Sequence, residues 1–168
     1  TIETFVGSVK AAALAPEGER CAVGGYGGAL KEFNVANGAL LASLAGHRDH
    51  INCLVYSRAG ATLVSADQDG EIRLWDTRTL DCAGRFRHGG VAIVHVALAP
   101  DGRFVAAVDL AGKVTVWDVA LGAPVRWFTA GVIPITRVAF SPGGGYLLAG
   151  CRDGKALLYC LATNQVEA

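Results

Sequence analysis

Methionine is absent from this chain, charge of either sign is sparse, and no apolar run is long enough to cross a bilayer. Each shortage excludes something. Charged residues make up 18% of the sequence and cancel to a formal net charge of zero. The arginines are scattered, so the chain offers no electrostatic footprint for a phosphate backbone and no nucleic-acid partner is expected. The longest apolar run, Val91 to Ala99, is interrupted by His95 and reads as a strand, so no membrane partner is expected either. No stretch reads as a signal or transit segment. The five cysteines, Cys21, Cys53, Cys82, Cys151 and Cys160, are odd in number and form no Cys-x-x-Cys pair. That argues against a disulfide framework and against a zinc site. With no Asn-x-Ser/Thr sequon, the cysteines read as small core hydrophobes in a reducing compartment, intracellular and by expectation cytoplasmic. A chain that starts at Thr1 and has no methionine is expected to be a processed or excised piece, or part of something longer.

Hydrophobic residues and glycine are plentiful: 52% of the sequence is hydrophobic and 22 residues are glycine. The glycines are also periodic. Gly28, Gly70, Gly112 and Gly154 fall 42 residues apart, as do Gly18, Gly60, Gly102 and Gly144, the aromatics Phe33, Trp75, Trp117 and Tyr159, and the series Pro16, Arg58, Pro100, Pro142. Four copies of one unit fill the 168 residues without an insertion. A period of about 40–45 residues with Trp-Asp near its end marks a β-propeller blade.

The second unit shows the plan. Ile51 to Ser57 alternates, Arg58-Ala59-Gly60-Ala61 turns, and Thr62 to Ala66 forms a second strand closed by Asp67-Gln68-Asp69-Gly70. Glu71 to Asp76 is the third strand, and a fourth runs from near Asp81 to Arg87. The other first strands are Val9–Ala15, Ile93–Ala99 and Ile135–Ser141; the other third strands are Ala29–Val35, Lys113–Val119 and Lys155–Leu161. β-branched residues at period two and frequent Gly or Pro rule out helices. The expected fold is all-β: a β-propeller segment over residues 1–168, with four blades of four-stranded antiparallel sheet, near 1–46, 47–88, 89–130 and 131–168. One such sheet cannot bury both of its faces, and stacking successive sheets around an axis solves that.

The chain resembles the WD-repeat family of β-propellers. Leu74-Trp75-Asp76, Val116-Trp117-Asp118, the Gly46-His47 pair and the Asp69-Gly70 and Asp153-Gly154 turns carry the resemblance, which covers essentially the whole sequence. It implies that His47, Ser65, Asp69 and Trp75 form a buried structural network, although the same residues could be read as a hydrolytic Ser-His-Asp set. No Gly-x-Ser-x-Gly elbow accompanies Ser65. The other units depart from the pattern. The third keeps Trp117 but has Gly89, Ala107 and Ala111 for the polar partners, with His88 one residue early; the fourth keeps only Asp153; the first keeps none. Gly24-Gly25-Tyr26-Gly27-Gly28 reads as a hairpin turn, since it joins two strands and opens no helix. No catalytic residue, cofactor or metal ligand is expected.

The resemblance further implies that partners bind on the rim carrying the loop into each first strand. Transferred by register, the contact places are Ser8, Lys10 and Tyr26; His50, Asn52 and Gln68; Ala92, Val94 and Leu110; and Pro134, Thr136 and Arg152. Of these, Lys10, Tyr26, His50, Asn52, Gln68, Leu110, Thr136 and Arg152 are the expected contact residues. Such a mixed patch suits a peptide or protein. The expected function is a non-catalytic protein-interaction scaffold in a larger assembly; the alternative is an adaptor presenting a bound substrate protein to a modifying enzyme. Cytoskeletal association is possible in the family, but no residue argues for it. The family usually closes seven blades. The chain is therefore expected to belong to a larger ring of seven or eight blades, or to pair with another chain. The other solution is a four-bladed ring whose last sheet combines Val166–Ala168 with Thr1–Phe5.

Overall fold

In the computed structural model, which describes residues 8–167, sixteen strands form four separate four-stranded antiparallel meanders. Blade one comprises β1 (Val9–Leu14), β2 (Arg20–Gly25), β3 (Leu30–Asn34) and β4 (Leu40–Leu44). Blade two comprises β5 (Ile51–Tyr56), β6 (Thr62–Asp67), β7 (Glu71–Asp76) and β8 (Cys82–Arg87). Blade three comprises β9 (Ile93–Leu98), β10 (Phe104–Asp109), β11 (Val114–Asp118) and β12 (Ala123–Phe128). Blade four comprises β13 (Ile135–Phe140), β14 (Tyr146–Cys151), β15 (Ala156–Cys160) and the short β16 (Gln165–Val166). The expected all-β propeller architecture is what the chain adopts.

In blades two and three the turn after the third strand shows why Asp follows Trp. Asp76 Oδ1 accepts from the backbone N–H groups of Arg78 and Thr79 at 2.8 and 3.0 Å, and Asp118 Oδ1 does the same for Ala120 and Leu121 at 3.0 and 3.1 Å. Asn34 serves blade one in the same way. These side chains supply the acceptor that a tight Asx turn needs.

Three apolar joints hold the blades together. Ala11, Ala22, Leu30 and Leu44 of blade one meet Ile51, Tyr56, Leu63 and Trp75 of blade two. Cys53, Val64, Ile72, Leu74 and Phe86 meet Ile93, Val96, Val105 and Trp117. Ala106, Val108, Val114 and Val116 meet Ile135, Val138, Leu147 and Tyr159. One polar staple crosses the first joint: buried Glu32 Oε1 accepts from Arg20 Nη1 at 3.0 Å and from the Tyr56 hydroxyl at 2.7 Å. Arg20 Nη2 also donates to the Gly60 carbonyl at 3.2 Å.

The inner strands follow one another in the order β1, β5, β9, β13, and β13 makes no comparable contact with β1. Among the described residues the four blades therefore form an open arc. The glycines that repeat every 42 residues mark the joints between blades. Gly112 has φ +81°, and a Cβ there would lie 2.5 Å from Pro134 Cα in the loop of the next blade. Gly154, at φ +87° in the same place on blade four, would meet nothing among the described residues. Residues that face a neighbour elsewhere are open at the arc's ends, with Leu14 at 67% and Leu148 at 49% exposure. The strand expected over Thr1–Phe5 lies outside the described residues, as does Ala168.

Gly112→Ala and Gly154→Ala should differ in cost. Each carries left-handed backbone strain of about 1–2 kcal/mol, and Gly112→Ala adds a backbone clash across the joint. Denaturant unfolding should rank Gly112→Ala as clearly the more damaging; equal losses would mean that the loop of the next blade yields freely.

Candidate functional site

The polar constellation in blade two is a directional relay. The Trp75 indole N–H donates to Ser65 Oγ at 2.8 Å, and the Ser65 hydroxyl meets His47 Nε2 at 2.6 Å. His47 Nδ1–H reaches Asp67 Oδ2 at 2.7 Å, and Asp67 Oδ1 accepts the backbone N–H groups of Asp69 and Glu71 at 3.1 and 2.8 Å. The carboxylate is therefore Asp67, and the expectation of Asp69 is corrected. β6 continues through Asp67, so Leu63, Ser65 and Asp67 share one face of it. Asp69 lies in the following turn and is exposed, contributing its backbone N–H alone. Strict alternation from Ser65 would have found Asp67; closing the strand at Ala66 hid it.

Asp67, His47 and Ser65 are spaced like a hydrolytic triad, but the chemistry is structural. The serine hydroxyl is wholly buried and accepts from the indole, leaving no approach for a substrate. Burial pushes the Asp67 carboxyl up, yet the hydrogen bonds from His47 and from the Glu71 and Asp69 amides outweigh it and hold the group below the usual carboxylate range. Glu71 lies near enough to His47 and Asp67 for the three to hold a cation, with ligand atoms within 4.8 Å. All three are already engaged: Glu71 binds Arg73 Nη2 at 3.2 and 3.3 Å and Arg85 Nε at 3.4 Å, so a metal would have to displace two guanidinium groups.

Blade three retains half of this network. His88, although one residue early, is buried and places Nε2 2.8 Å from Asp109 Oδ2, with its ring edge-on to Trp117 at 5.3 Å between centroids. Asp109 stands 42 residues after Asp67, and Ala107 takes the place of Ser65. The partner of His88 was missed for the same reason as Asp67.

On the rim, one backbone hydrogen bond recurs from blade to blade. Gln68 N donates to His50 O at 2.9 Å, Leu110 N to Ala92 O at 2.8 Å, and Arg152 N to Pro134 O at 3.1 Å. It ties the turn before each third strand to the loop before the first. In blades one and two the expected contact residues form a contiguous group. Lys10 Nζ lies 4.9 Å from the Tyr26 ring centroid, and the Tyr26 and His50 rings are 4.1 Å apart. The Gly27 N–H donates to His50 Nδ1 at 3.2 Å. Asn52 Nδ2 donates to Gln68 Oε1 at 3.0 Å and to Ile93 O at 3.1 Å. Leu110 and Arg152 project from the same places on blades three and four and are exposed, whereas Thr136 Oγ1 is spent on Gly150 O at 3.2 Å.

Sequence reasoning did not bring His95 and Arg137 of the inner strands together with Lys10 and Asn52. Lys10, Asn52, His95 and Arg137 line one groove of about 240 Å3. Burial first, and the Arg137 charge second, hold the His95 imidazole below its usual pKa. The signal was the alternation of β9 and β13, which turns His95 and Arg137 to one side of their strands.

Trp75→Ala should cost about 3–5 kcal/mol through the cavity it leaves, and Asp67→Ala about 1–3 kcal/mol by stranding buried donors. Asp69→Ala should change stability by no more than about 0.5 kcal/mol. Because the folded pKa of Asp67 is depressed, its contribution is complete above the unfolded value of about 3.9 and is lost as pH falls through the folded value. Acid titration of the melting temperature should show this loss, and Asp67→Asn should flatten it; an unchanged acid limb would assign the effect to other carboxyls.

The comparisons with known proteins agree with this geometry. The WD domain, G-beta repeat profile matches residues 38–76, 80–118 and 124–160, well over half of the chain. Protein ROOT INITIATION DEFECTIVE 3 of Arabidopsis thaliana is 42% identical over 67 residues, which is 40% of this chain and 15% of that protein. The THO complex subunit 6 homolog of Danio rerio is 30% identical over 71 residues, 42% of this chain and 22% of that protein. The chain thus spans less than a quarter of the length of these curated relatives. The solved β-propeller domain of Cps50 (Swd1) from Myceliophteria thermophila superposes with a TM-score of 0.87 at 20% identity, covering 96% of this chain and 54% of that one. At that identity the likeness concerns the fold alone. With three matched repeats, a fourth blade in register and the Trp75–Ser65–His47–Asp67 relay, the chain belongs to the WD-repeat family of β-propellers.

Proposed function

We propose that this chain is a non-catalytic protein-interaction scaffold within a multiprotein assembly, and that it forms part of a larger ring of seven or eight blades. WD-repeat proteins generally serve as interaction scaffolds in complexes, and one relative is by name a subunit of the THO complex. The observation that carries the reading is the rim cluster of Lys10, Tyr26 and His50 beside Asn52 and Gln68: mixed donors, acceptors and one aromatic on a rigid edge. This is chemistry for a protein surface. Tyr26 and Arg152 are the anchors, since Tyr and Arg dominate binding energetics. The open faces at Leu14 and Leu148 support the larger ring, because a lone soluble chain rarely leaves large apolar patches uncovered. Five free cysteines support an intracellular, cytoplasmic setting. Among the described residues, no helix is long and apolar enough to cross a membrane.

Tyr26→Ala should weaken the partner by about 2 kcal/mol, and Arg152→Glu should weaken it too, with no change in melting temperature for either. Quantitative co-purification with wild type and variants measures this. A bound structure with the partner wholly on the opposite rim, or on the outer fourth strands, would sink the assignment. Light scattering of the isolated chain tests the ring. Aggregation or dimerisation is expected, and a stable monomer with a sharp melting transition would reject the larger ring.

A further inference from the structure

Blades two and three differ at three neighbouring register positions, and the difference opens a cavity. In blade two, Arg73 fills the space in front of Trp75: its guanidinium carbon lies 5.8 Å from the ring centroid, and its Nη2 is held by Glu71. Glu71 also binds Arg85 on the outer strand, so both guanidinium groups are held by one carboxylate. Forty-two residues on, Glu71, Arg73 and Arg85 become Lys113, Thr115 and Trp127. The short Thr115 no longer fills the space, and a cavity of about 390 Å3 lies among Arg87, His88, Lys113, Thr115, Trp117 and Trp127.

Three observations say what it takes. Thr115 is 5% exposed, and its hydroxyl finds no hydrogen-bond partner. A buried unpaired hydroxyl is costly and calls for an incoming polar group. Trp127, cross-strand from Thr115, is 65% exposed and stands under Lys113 Nζ at 5.1 Å from the ring centroid. Neither Lys113 nor Arg87 has a carboxylate partner among the described residues. The one acidic side chain in the wall is already used: Asp109 Oδ2 bonds His88 and Oδ1 accepts the Lys113 N–H at 2.9 Å. Among the described residues the cavity is left with two cations that lack a carboxylate partner, an unpaired hydroxyl and an exposed aromatic plate.

We propose that this cavity between blades two and three binds an acidic segment of a partner protein. A carboxylate side chain would enter between Arg87 and Lys113 and accept the Thr115 hydroxyl, and an adjacent aliphatic or aromatic residue would cover Trp127. Two cations are too few to track a nucleic-acid backbone, which wants a run of phosphate contacts. The site is separate from the Tyr26 rim cluster and stands or falls independently of it.

The test pans a phage-displayed library of random short peptides on the whole chain, with counter-selection on the Arg87→Gln/Lys113→Gln double variant. The expected peptides carry Asp or Glu beside an apolar residue. A synthetic peptide from that set should shift tryptophan emission on binding. The double variant should weaken it about tenfold at an unchanged melting temperature. Thr115→Val should raise the melting temperature and weaken the peptide. Selected peptides with no acidic excess, no peptide that separates wild type from the double variant, or equal affinity for both would overturn the proposal. So would a Thr115→Val variant that gains stability and binds unchanged, or displacement by oligodeoxythymidylate as effective as by the free peptide.

Discussion

A four-stranded sheet has two faces, and in this chain both must be apolar because each blade is covered only by the next. That constraint accounts for the rest of the structure. Ile51, Leu63 and Trp75 look back to blade one, while Cys53, Val64 and Leu74 look on to blade three. The alternation of a strand supplies both sets without extra chain. It also explains why charge is so sparse: the strand faces within the three joints are closed to water. Removing apolar surface from water contributes roughly 25 cal/mol per Å2, so the joints dominate stability and a polar staple such as Arg20–Glu32–Tyr56 adds mainly alignment. A buried ion pair rarely gains much net energy.

Against that background the Trp75 relay fixes the top of one joint. Its members run from the third strand through the second to the loop of the first, and thence into the turn amides. One chain of hydrogen bonds thereby sets the relative height of three segments, including the loop that carries His50 to the rim. Blade three achieves a shorter version through His88 and Asp109, bonding through Nε2 in place of Nδ1 because the histidine enters one residue earlier. Blades one and four have Phe33 and Tyr159 at the indole place and rely on packing. The Tyr159 ring stacks 4.1 Å from Phe128 of the preceding blade, which supplies by contact what the hydrogen bonds supply elsewhere.

Most of the architecture was legible in the sequence because the repeat is exact: a 42-residue spacing of turn glycines and aromatics leaves no freedom in the order of strands. The strands that emerge differ from those expected by about a residue at their ends. At Asp67 that single residue mattered, since a strand position points inward and a turn position points to water. The axial groove was less legible. His95 and Arg137 lie in strands that are otherwise apolar, and only the alternation of side chains decides that they share a groove with Lys10. Closure was not legible from spacing, because four whole repeats are compatible with a closed ring or an arc. Among the described residues β13 does not pack on β1 as β9 packs on β13, and that distinguishes them.

The decay of the repeat is where individuality enters. While a position keeps its structural partners, as Arg73 keeps Glu71 and Glu71 keeps Arg85, the side chain serves the blade and offers nothing outward. When the three change together to Thr115, Lys113 and Trp127, the blade still folds, because its neighbours on both faces remain Val, Ala and Trp. The polar position is then released from its structural task, and a volume once filled by a guanidinium becomes accessible from outside. The rigid joints make such a change tolerable, since losing one polar cluster at the periphery leaves the three apolar joints intact. A repeat fold can thus acquire a site by subtraction: the scaffold fixes the walls, and a shorter side chain at one register position exposes them.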